Sequence, residues 1–429
     1  NKKACCNHYK NYLLIMHVLY FHQHFSTPSG TTGTRSYEMA KALLNKGHSV
    51  TMVCGSYAQG NTGLTGRFHR GKRRGIIDGI DVIEFEIDYA NHMGFTKRLI
   101  VFAKFVFKGI KVAMLEPADI MFATSTPLTS GIPALFARWL RFKPFIFEVR
   151  DLWPELPKAM GIIKNPFVLW LMSLLELISY KSAHSLIGLS PGIVKGIKAR
   201  GIDKSKISMI PNGCDIHLFS NAKILPWRPK EIPDDQMLAI FTGTHGVANG
   251  LDSILEAAAL LKLRGRNDIS IALIGEGKEK ARLLEIVRLK KLNNVIMLDS
   301  IPKKRLVGLM KSADIGLQVL ANIPAFYYGT SPNKFFDYIS SGLPVLNNYP
   351  GWIGDIIREN DCGFEVNPDD TDEFANFLEY AADDRKMLKN KAYNAYTVAK
   401  RDYNRKELAH NWVNVLETCY IDTKGTNNV

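Results

Sequence analysis

Apolar residues in this chain gather in short, strand-like runs. They fall at 16–21, 50–54, 82–87, 119–123, 144–149 and 185–189 in the first half. In the second half they fall at 238–242, 270–274, 294–298, 314–320 and 343–346. Runs of this length predict strands buried on both faces, as in a parallel sheet, where no alternate side chain meets water. The stretches between them have helical spacing, so each half predicts a parallel sheet covered by helices. The Pro-, Trp- and charge-rich segment 222–236 reads as the linker. A long polar–apolar helix near 385–420, carrying Trp412, ends the pattern. With 429 residues, 46% of them hydrophobic, the α/β chain has material for two full cores.

No apolar run reaches the roughly 18 uninterrupted residues that span a bilayer. Segment 2–21 imitates a secretion signal, with basic residues followed by an apolar run. It has no small-residue cleavage site, however, and its apolar end doubles as the first strand. The chain begins with Asn1, so residues 1–15 read as a tag or upstream extension and Met16 as the natural start. Cys5, Cys6, Cys54, Cys214, Cys362 and Cys419 show no metal-ligand spacing, and adjacent Cys5 and Cys6 are poor partners for each other. Free thiols in a reducing cytoplasm are the plain reading.

Charge divides the halves more sharply than hydropathy does. Residues 1–220 carry 28 Lys and Arg against 14 Asp and Glu, whereas residues 221–429 carry 27 of each. The whole +14 excess therefore sits in the first half, which points to nucleic acid or an anionic membrane surface as partner. The interleaved aromatic and basic positions of a nucleic-acid-binding sheet are missing, which argues against the former. Lys97, Lys104, Lys108 and Lys111 form one helical stripe, with Leu99, Ile100, Phe102, Phe105 and Phe107 among the residues covering the remainder. Such a segment suits a lipid interface, or equally a half-buried core helix with a solvated lysine edge. The 166–178 run reads as a core helix. Arg67, Arg70, Lys72, Arg73 and Arg74 read as a mobile basic loop, and Glu84, Glu86 and Asp88 as the solvent face of a strand.

Candidate chemistry is densest in Gly329-Thr-Ser-Pro-Asn-Lys-Phe-Phe-Asp337 and the Ser-Gly-Leu-Pro-Val that follows it. Ser331 suits an N-cap, Pro332 the first helical position, and Gly342 a stop. A helix start offers unpaired N–H groups and positive dipole to a diphosphate, and Lys334 adds a full charge. Asp337, one turn on from Asn333, offers acceptors to a ribose. An ordinary capped helix with a solvated Asp also fits. After the first strand, the loop Pro28-Ser-Gly-Thr-Thr-Gly-Thr-Arg35 lets backbone approach a ligand closely at Gly30 and Gly33, with Arg35 in the next helix's first turn. It is neither Gly-x-Gly-x-x-Gly nor a Gly-Lys-Ser/Thr phosphate loop. Glu148-Val-Arg-Asp-Leu-Trp-Pro-Glu155 emerges from the C-terminal end of a strand, where α/β sheets place their sites. His22 and His24 follow the first strand and fit either a cleft or a surface loop.

Together with Ile207-Ser-Met-Ile-Pro-Asn-Gly-Cys-Asp215, Ile240-Phe-Thr-Gly-Thr-His245, Leu273-Ile-Gly-Glu-Gly277 and Ala313-Asp-Ile-Gly316, these segments stand in the order of the family 4 glycosyltransferases. The chain resembles that family from about Met16 to about Asp383. The resemblance implies a GT-B architecture, two Rossmann-like domains facing each other across a cleft. Residues 16–212 would bind the acceptor, residues 213–395 the donor, and a helix at 396–420 would cross back. It also implies a UDP-sugar donor. Ile301, Gly275, Glu276 and Gly277 would lie near the base, Asp337 on the ribose, and Ser331, Pro332, Asn333 and Lys334 on the diphosphate. Thr244 and His245 would lie in the second domain's glycine loop, with Gly30, Gly33 and Arg35 closing over the donor from the first. Sugar transfer builds negative charge on the diphosphate, so N–H donors and cations aimed at it are what the chemistry requires.

The pattern departs from many relatives. Residues 243–250 lack the usual Arg and Lys, leaving His245 and Asn249 as neutral substitutes and Lys334 as the main cation. Of the usual acid pair only Asp337 stands, with Gly329 in the other place. A frequent active-site His is replaced by Arg150 and Asp151. Asp151 is expected to hold sugar or acceptor hydroxyls and Arg150 to face phosphates, unless the two pair to fix the loop; Glu148 is read as architectural. These departures resemble surface-polysaccharide transferases of the N-acetyl-fucosaminyltransferase type. Arg150, Asp151 and Lys334 are the expected catalytic set. Retention of configuration would need no protein nucleophile, and no cofactor or metal is expected, since Asp370-Thr-Asp372 reads as a helix N-cap. Expected partners are the UDP-sugar, a polyprenyl-diphosphate-linked saccharide and an anionic membrane surface, with no nucleic acid. The expected location is cytoplasmic, on the inner face of the plasma membrane. The rival readings are an inert sugar-nucleotide-binding subunit and a UDP-GlcNAc 2-epimerase-like enzyme.

Overall fold

The computed structural model describes residues 15–90 and 93–425, so Cys5 and Cys6 lie outside the described residues. Its first sheet contains β1 (His17–Phe21), β2 (Ser49–Tyr57), β3 (Lys72–Ile77), β4 (Ile80–Tyr89), β5 (Ile120–Thr124), β6 (Phe145–Val149), β7 (Ser185–Gly188) and β8 (Ile207–Met209). Their spatial order is β3-β4-β2-β1-β5-β6-β7-β8, parallel except for the β3–β4 hairpin. The second sheet contains β9 (Met237–Thr242), β10 (Ile269–Ile274), β11 (Val295–Leu298), β12 (Ile315–Gln318), β13 (Val345–Asn347) and β14 (Gly363–Glu365). It is parallel throughout, in the order β11-β10-β9-β12-β13-β14. All eleven apolar runs are strands, because the inner strands are covered on both faces. Three strands were invisible to that pattern. β8 and β14 are three residues long, and β3 is a polar edge whose residues are half or fully exposed.

Because β3 pairs with β4, the basic cluster at 67–74 is not simply a mobile loop. Arg73 forms a two-pronged pair with Glu84, and Arg74 bridges Asp81 and Glu116. Glu84 is accordingly buried, while Glu86 and Asp88 remain on the solvent side.

Two helical layers cover the first sheet. On one face, the helices Phe95–Leu115, Ile132–Leu140 and Pro166–Ser182 bury Phe105, Leu135 and Tyr180 against Phe21 and Phe147. On the other face, the helices Arg35–Asn45 and Arg405–Gly425 bury Met39 and Trp412, the latter stacked on Tyr20. The Pro166–Ser182 helix is only in part the core helix its composition suggests. Tyr180, Leu175 and Ile178 pack on the core, whereas Phe167, Trp170, Leu171 and Leu174 are exposed. Lys108 leaves the lysine stripe to donate to the Gly71 carbonyl at 2.7 Å, while Lys97, Lys104 and Lys111 stay exposed.

The expected terminal helix is two helices, Arg385–Asp402 and Arg405–Gly425. The break serves pairing. Cys214 N–H donates to the Tyr403 carbonyl at 2.7 Å, and Arg405 N–H donates to the Cys214 carbonyl at 3.0 Å. The chain thus crosses between domains twice at one place, outward at 212–215 and back at 403–405. The 222–236 segment is docked on the second domain, with Trp227 Nε1–H on the Arg305 carbonyl at 2.7 Å and the Arg305 guanidinium 4.7 Å from its ring.

Candidate active site

The loops that leave the C-terminal strand ends of both sheets enclose a cleft of about 530 Å³. Its N-terminal wall holds His22, His24, Gly30, Gly33, Tyr57, Arg150, Asp151 and Asn212. Its C-terminal wall holds Thr244, Gly275, Glu276, Ile301, Lys303, Ser331, Pro332, Asn333, Lys334 and Asp337. Most of the residues singled out from sequence are therefore brought together. Arg35, His245 and Gly277 are not among those lining the cleft, and each has a physical reason.

Arg35 is buried and held elsewhere. Nε and Nη2 donate to Glu148 Oε2 at 3.0 and 2.9 Å, and the guanidinium also meets the carbonyls of Pro211 and Ile210 at 2.6 and 2.9 Å. It locks the glycine loop's helix to β6 and the crossover, with four of its five N–H donors taken and the side chain buried away from the cleft. Glu148 is likewise structural, buried between Arg35 and Thr124.

His245 lies behind the second domain's glycine loops rather than in front of them. A Cβ on Gly275 would meet the Gly243 carbonyl oxygen at 1.8 Å, and one on Gly277 would meet that of His245 at 2.2 Å. These glycines let the backbones after β9 and β10 touch, which seats the His245 ring in the interior with neither ring nitrogen hydrogen-bonded. Burial and the neighbouring lysines push its pKa down to about 4, so it supplies no positive charge at neutral pH.

The helix Asn333–Ser340 opens on the cleft. Ser331 does not cap it: Pro332 holds the cap position without a side-chain cap. Ser331 Oγ instead accepts the Asn212 N–H at 3.1 Å, and its carbonyl accepts from Asn212 Nδ2 at 2.6 Å. Asn212 therefore ties the crossover to this helix start. Gly33 reaches the same place from the first domain, where a Cβ would lie 2.7 Å from Asn333 Nδ2.

Lys334 projects beside β9, donating to Asn249 Oδ1 at 2.8 Å, with its ammonium 4.3 Å from the Phe241 ring centroid. Among the described residues no carboxylate pairs with it, and burial pushes its pKa down to about 7. Asn249 serves as that lysine's anchor. Asp337, one turn further, is buried rather than on an exposed face. Lys303 holds its Oδ2, while Oδ1 is buried without a hydrogen-bond partner. Lys303 was missed in the sequence, since a lysine at a helix start carries no signature.

Across the cleft, Arg150 N–H donates to Ser125 Oγ at 2.9 Å. Among the described residues no ion pair joins its guanidinium to Asp151, and both residues line the cleft. Burial raises the Asp151 pKa, opposed by Arg150. His22 and His24 line the cleft as neutral imidazoles, held well below the ordinary value and at about 3 by burial and Arg150. His22 Nδ1 and His24 Nε2 are buried without partners, and the His24 ring stacks on Tyr89 at 4.3 Å. Arg405 also lines the cleft, paired with Asp215 at 3.2 Å, a role that nothing in the tail's sequence announced.

Asp370 caps the helix Thr371–Asp383 through the Glu373 N–H at 2.8 Å. Among the described residues no group of three or more His, Cys, Asp or Glu is arranged to hold a metal ion. The cleft can thus receive an anion between two basic side chains, Arg150 from one domain and Lys334 from the other, neither ion-paired with a carboxylate among the described residues. Unpaired polar atoms for hydroxyl groups flank both.

Residues 30–213 match the glycosyl transferase 4-like domain family, and residues 226–398 match the glycosyl transferases group 1 family. A search of curated proteins gave no significant match. Among solved structures, sucrose-phosphate synthase from Thermosynechococcus elongatus superposes with a TM-score of 0.73 at 14% identity, over 95% of this chain and 100% of that one. Alr3699/HepE from Anabaena, solved with UDP-glucose, gives 0.64 at 15% identity over 94% of this chain and 100% of that one. WaaG, a glycosyltransferase involved in lipopolysaccharide biosynthesis, gives 0.64 at 16% identity over 92% and 98%. At such identities the likeness carries the fold and leaves the substrates open.

Proposed function

The chain is a glycosyltransferase of GT-B fold that joins a glycosyl transferase 4-like domain to a group 1 domain, and on that premise we propose that it moves a sugar from a UDP-sugar to a lipid-linked saccharide. The observation that supports this reading is that Arg150 and Lys334 face one cleft, without carboxylate partners among the described residues, with the unpartnered Asp337 Oδ1 nearby. The diphosphate lies between the two cations and the start of the Asn333–Ser340 helix, which stabilise the charge that grows as the anomeric C–O bond breaks. Asp337 Oδ1 accepts a ribose hydroxyl, and Ile301 and the Gly275–Glu276 backbone flank the base. Asp151, His22 and His24 take hydroxyls of the transferred sugar and the acceptor. The acceptor oxygen attacks the face that the diphosphate leaves, so configuration is retained. Its proton passes to the departing phosphate oxygen, and atoms and charge balance without a protein nucleophile, a cofactor or a divalent metal. The sugar is an N-acetylated hexose or 6-deoxyhexose, and the product is a surface polysaccharide precursor.

A calorimetric panel of UDP-sugars, followed by transfer assays on polyprenyl-diphosphate-linked saccharides, tests this. Binding of a UDP-sugar and transfer that survives EDTA are the expected results. Transfer abolished by EDTA and restored by manganese would overturn the metal-free reading. Tight binding with no transfer to any acceptor would make the chain a sugar-nucleotide-binding subunit, the one alternative that the missing Arg and Lys at 243–250 favour.

A further inference from the structure

The helix Pro166–Ser182 packs Leu175 and Ile178 on the core and turns a second apolar side to solvent. Phe167 is 63% exposed and Trp170 57%, with Leu171 and Leu174 beside them, while the charged Glu176 is turned inward to Arg200. Its neighbours in the same layer do likewise. Leu99, Ile100 and Phe107 stand out from the helix Phe95–Leu115, and Trp139 and Leu140 from the helix Ile132–Leu140. Phe142, just beyond, is 81% exposed. Three adjacent helices thus share one exposed apolar and aromatic face, where an ordinary soluble surface carries scattered single residues. No described helix is long and apolar enough to cross a membrane.

We propose that this face docks the protein on the interfacial layer of an anionic lipid bilayer. Charge selects lipid over protein. The three helices contain one carboxylate, Glu176, and Arg200 takes it up. Around the apolar residues stand the exposed Lys97, Lys104, Lys111, Lys164 and Lys181. A second copy docked by two-fold symmetry would bring this basic fringe near its own mirror set, at a repulsive cost. Anionic headgroups neutralise the lysines, and Trp139 and Trp170 suit headgroup depth. The same layer adjoins the cleft. Phe102 of the first helix lies 5.9 Å from Tyr89, the ring that stacks on His24. Docking there presents the mouth of the cleft to groups carried at the bilayer surface. Docking at this face does not depend on the donor chemistry of the cleft.

Sedimentation with sucrose-loaded vesicles tests it, using phosphatidylglycerol–phosphatidylcholine mixtures against phosphatidylcholine alone. The parent protein should bind the anionic vesicles, less at high salt. The triple variant Phe167→Gln, Trp170→Gln, Leu171→Gln should lose roughly a hundredfold in partitioning, since three interfacial anchors are gone. Its thermal melt and UDP affinity should match the parent's, because the replaced side chains are exposed and distant from the donor wall. Brominated lipid should quench tryptophan fluorescence in the parent and less in the variant. Equal sedimentation of parent and variant, or none of either at low salt, overturns the proposal. So does a lipid-independent dimer in the parent that the variant abolishes, because the face would then be a self-interface.

Discussion

Lys334 rests over the Phe241 ring with Asn249 as its hydrogen-bond partner, and burial brings its pKa to about 7. A diphosphate placed beside it favours the charged form, so donor binding should take up a proton and weaken as pH rises above about 7. Calorimetry in buffers of different ionisation enthalpy would register that uptake; an affinity flat from pH 6 to 9 would contradict it. The stability of the free protein runs the other way. The folded pKa is depressed from 10.5, so between about 7 and 10.5 the unfolded chain holds more protons, and this site's contribution to stability rises with pH across that window. Lys334→Ala should weaken UDP binding roughly ten- to hundredfold, the worth of a charge-assisted contact of about 1.5–3 kcal/mol, without lowering the melting temperature. Arg35→Ala should do the reverse and cost about 3–5 kcal/mol in urea unfolding, because it strands the buried Glu148 carboxylate. Nothing in the residue pattern tells these two basic side chains apart. Lys334 stood in a recognisable motif, whereas the partner that claims Arg35 lies 113 residues away and becomes its neighbour only through the sheet.

At the level of elements, mostly apolar runs marked every inner strand, since a strand covered on both faces leaves few polar positions to confuse the pattern. Short edge strands and the polar hairpin strand β3 have no such imprint. The Pro166–Ser182 helix misled for a related reason. A helix apolar on nearly all sides reads as buried, and composition cannot say whether the surrounding medium is protein or something else. The glycine loops separate equally well by what they touch. The atoms nearest a Cβ on Gly33 all belong to the amide end of Asn333, so Gly33→Ala should cost a few-fold in donor affinity and be relieved by Asn333→Ala. Gly275 has φ +156 and backbone in its path, with the Gly243 carbonyl oxygen 1.8 Å from an added Cβ. Gly275→Ala should therefore cost at least about 1–3 kcal/mol of stability, from the unfavourable φ and from pushing the two backbones apart, measurable as a lowered melting temperature.

Across the whole molecule, the two crossovers at 212–215 and 403–405 lie side by side and join the domains where Asn212 meets Ser331 and Arg405 meets Asp215. The helix Arg405–Gly425 then completes the first domain by covering Met16, Val18, Tyr20 and Phe122 with Trp412, Val413 and Leu416. A chain truncated after residue 403 should leave that face bare and partition into the insoluble fraction, while a chain truncated after 425 stays soluble. The same arrangement bears on synthesis. The ribosome delivers the first sheet early but its last cover about 200 residues later, roughly 10–40 seconds at ordinary elongation rates. Through that interval the nascent chain carries an unfinished apolar surface past the whole making of its second domain. The domain begun first is finished last, so slowed translation of the second half should lower the yield of the first.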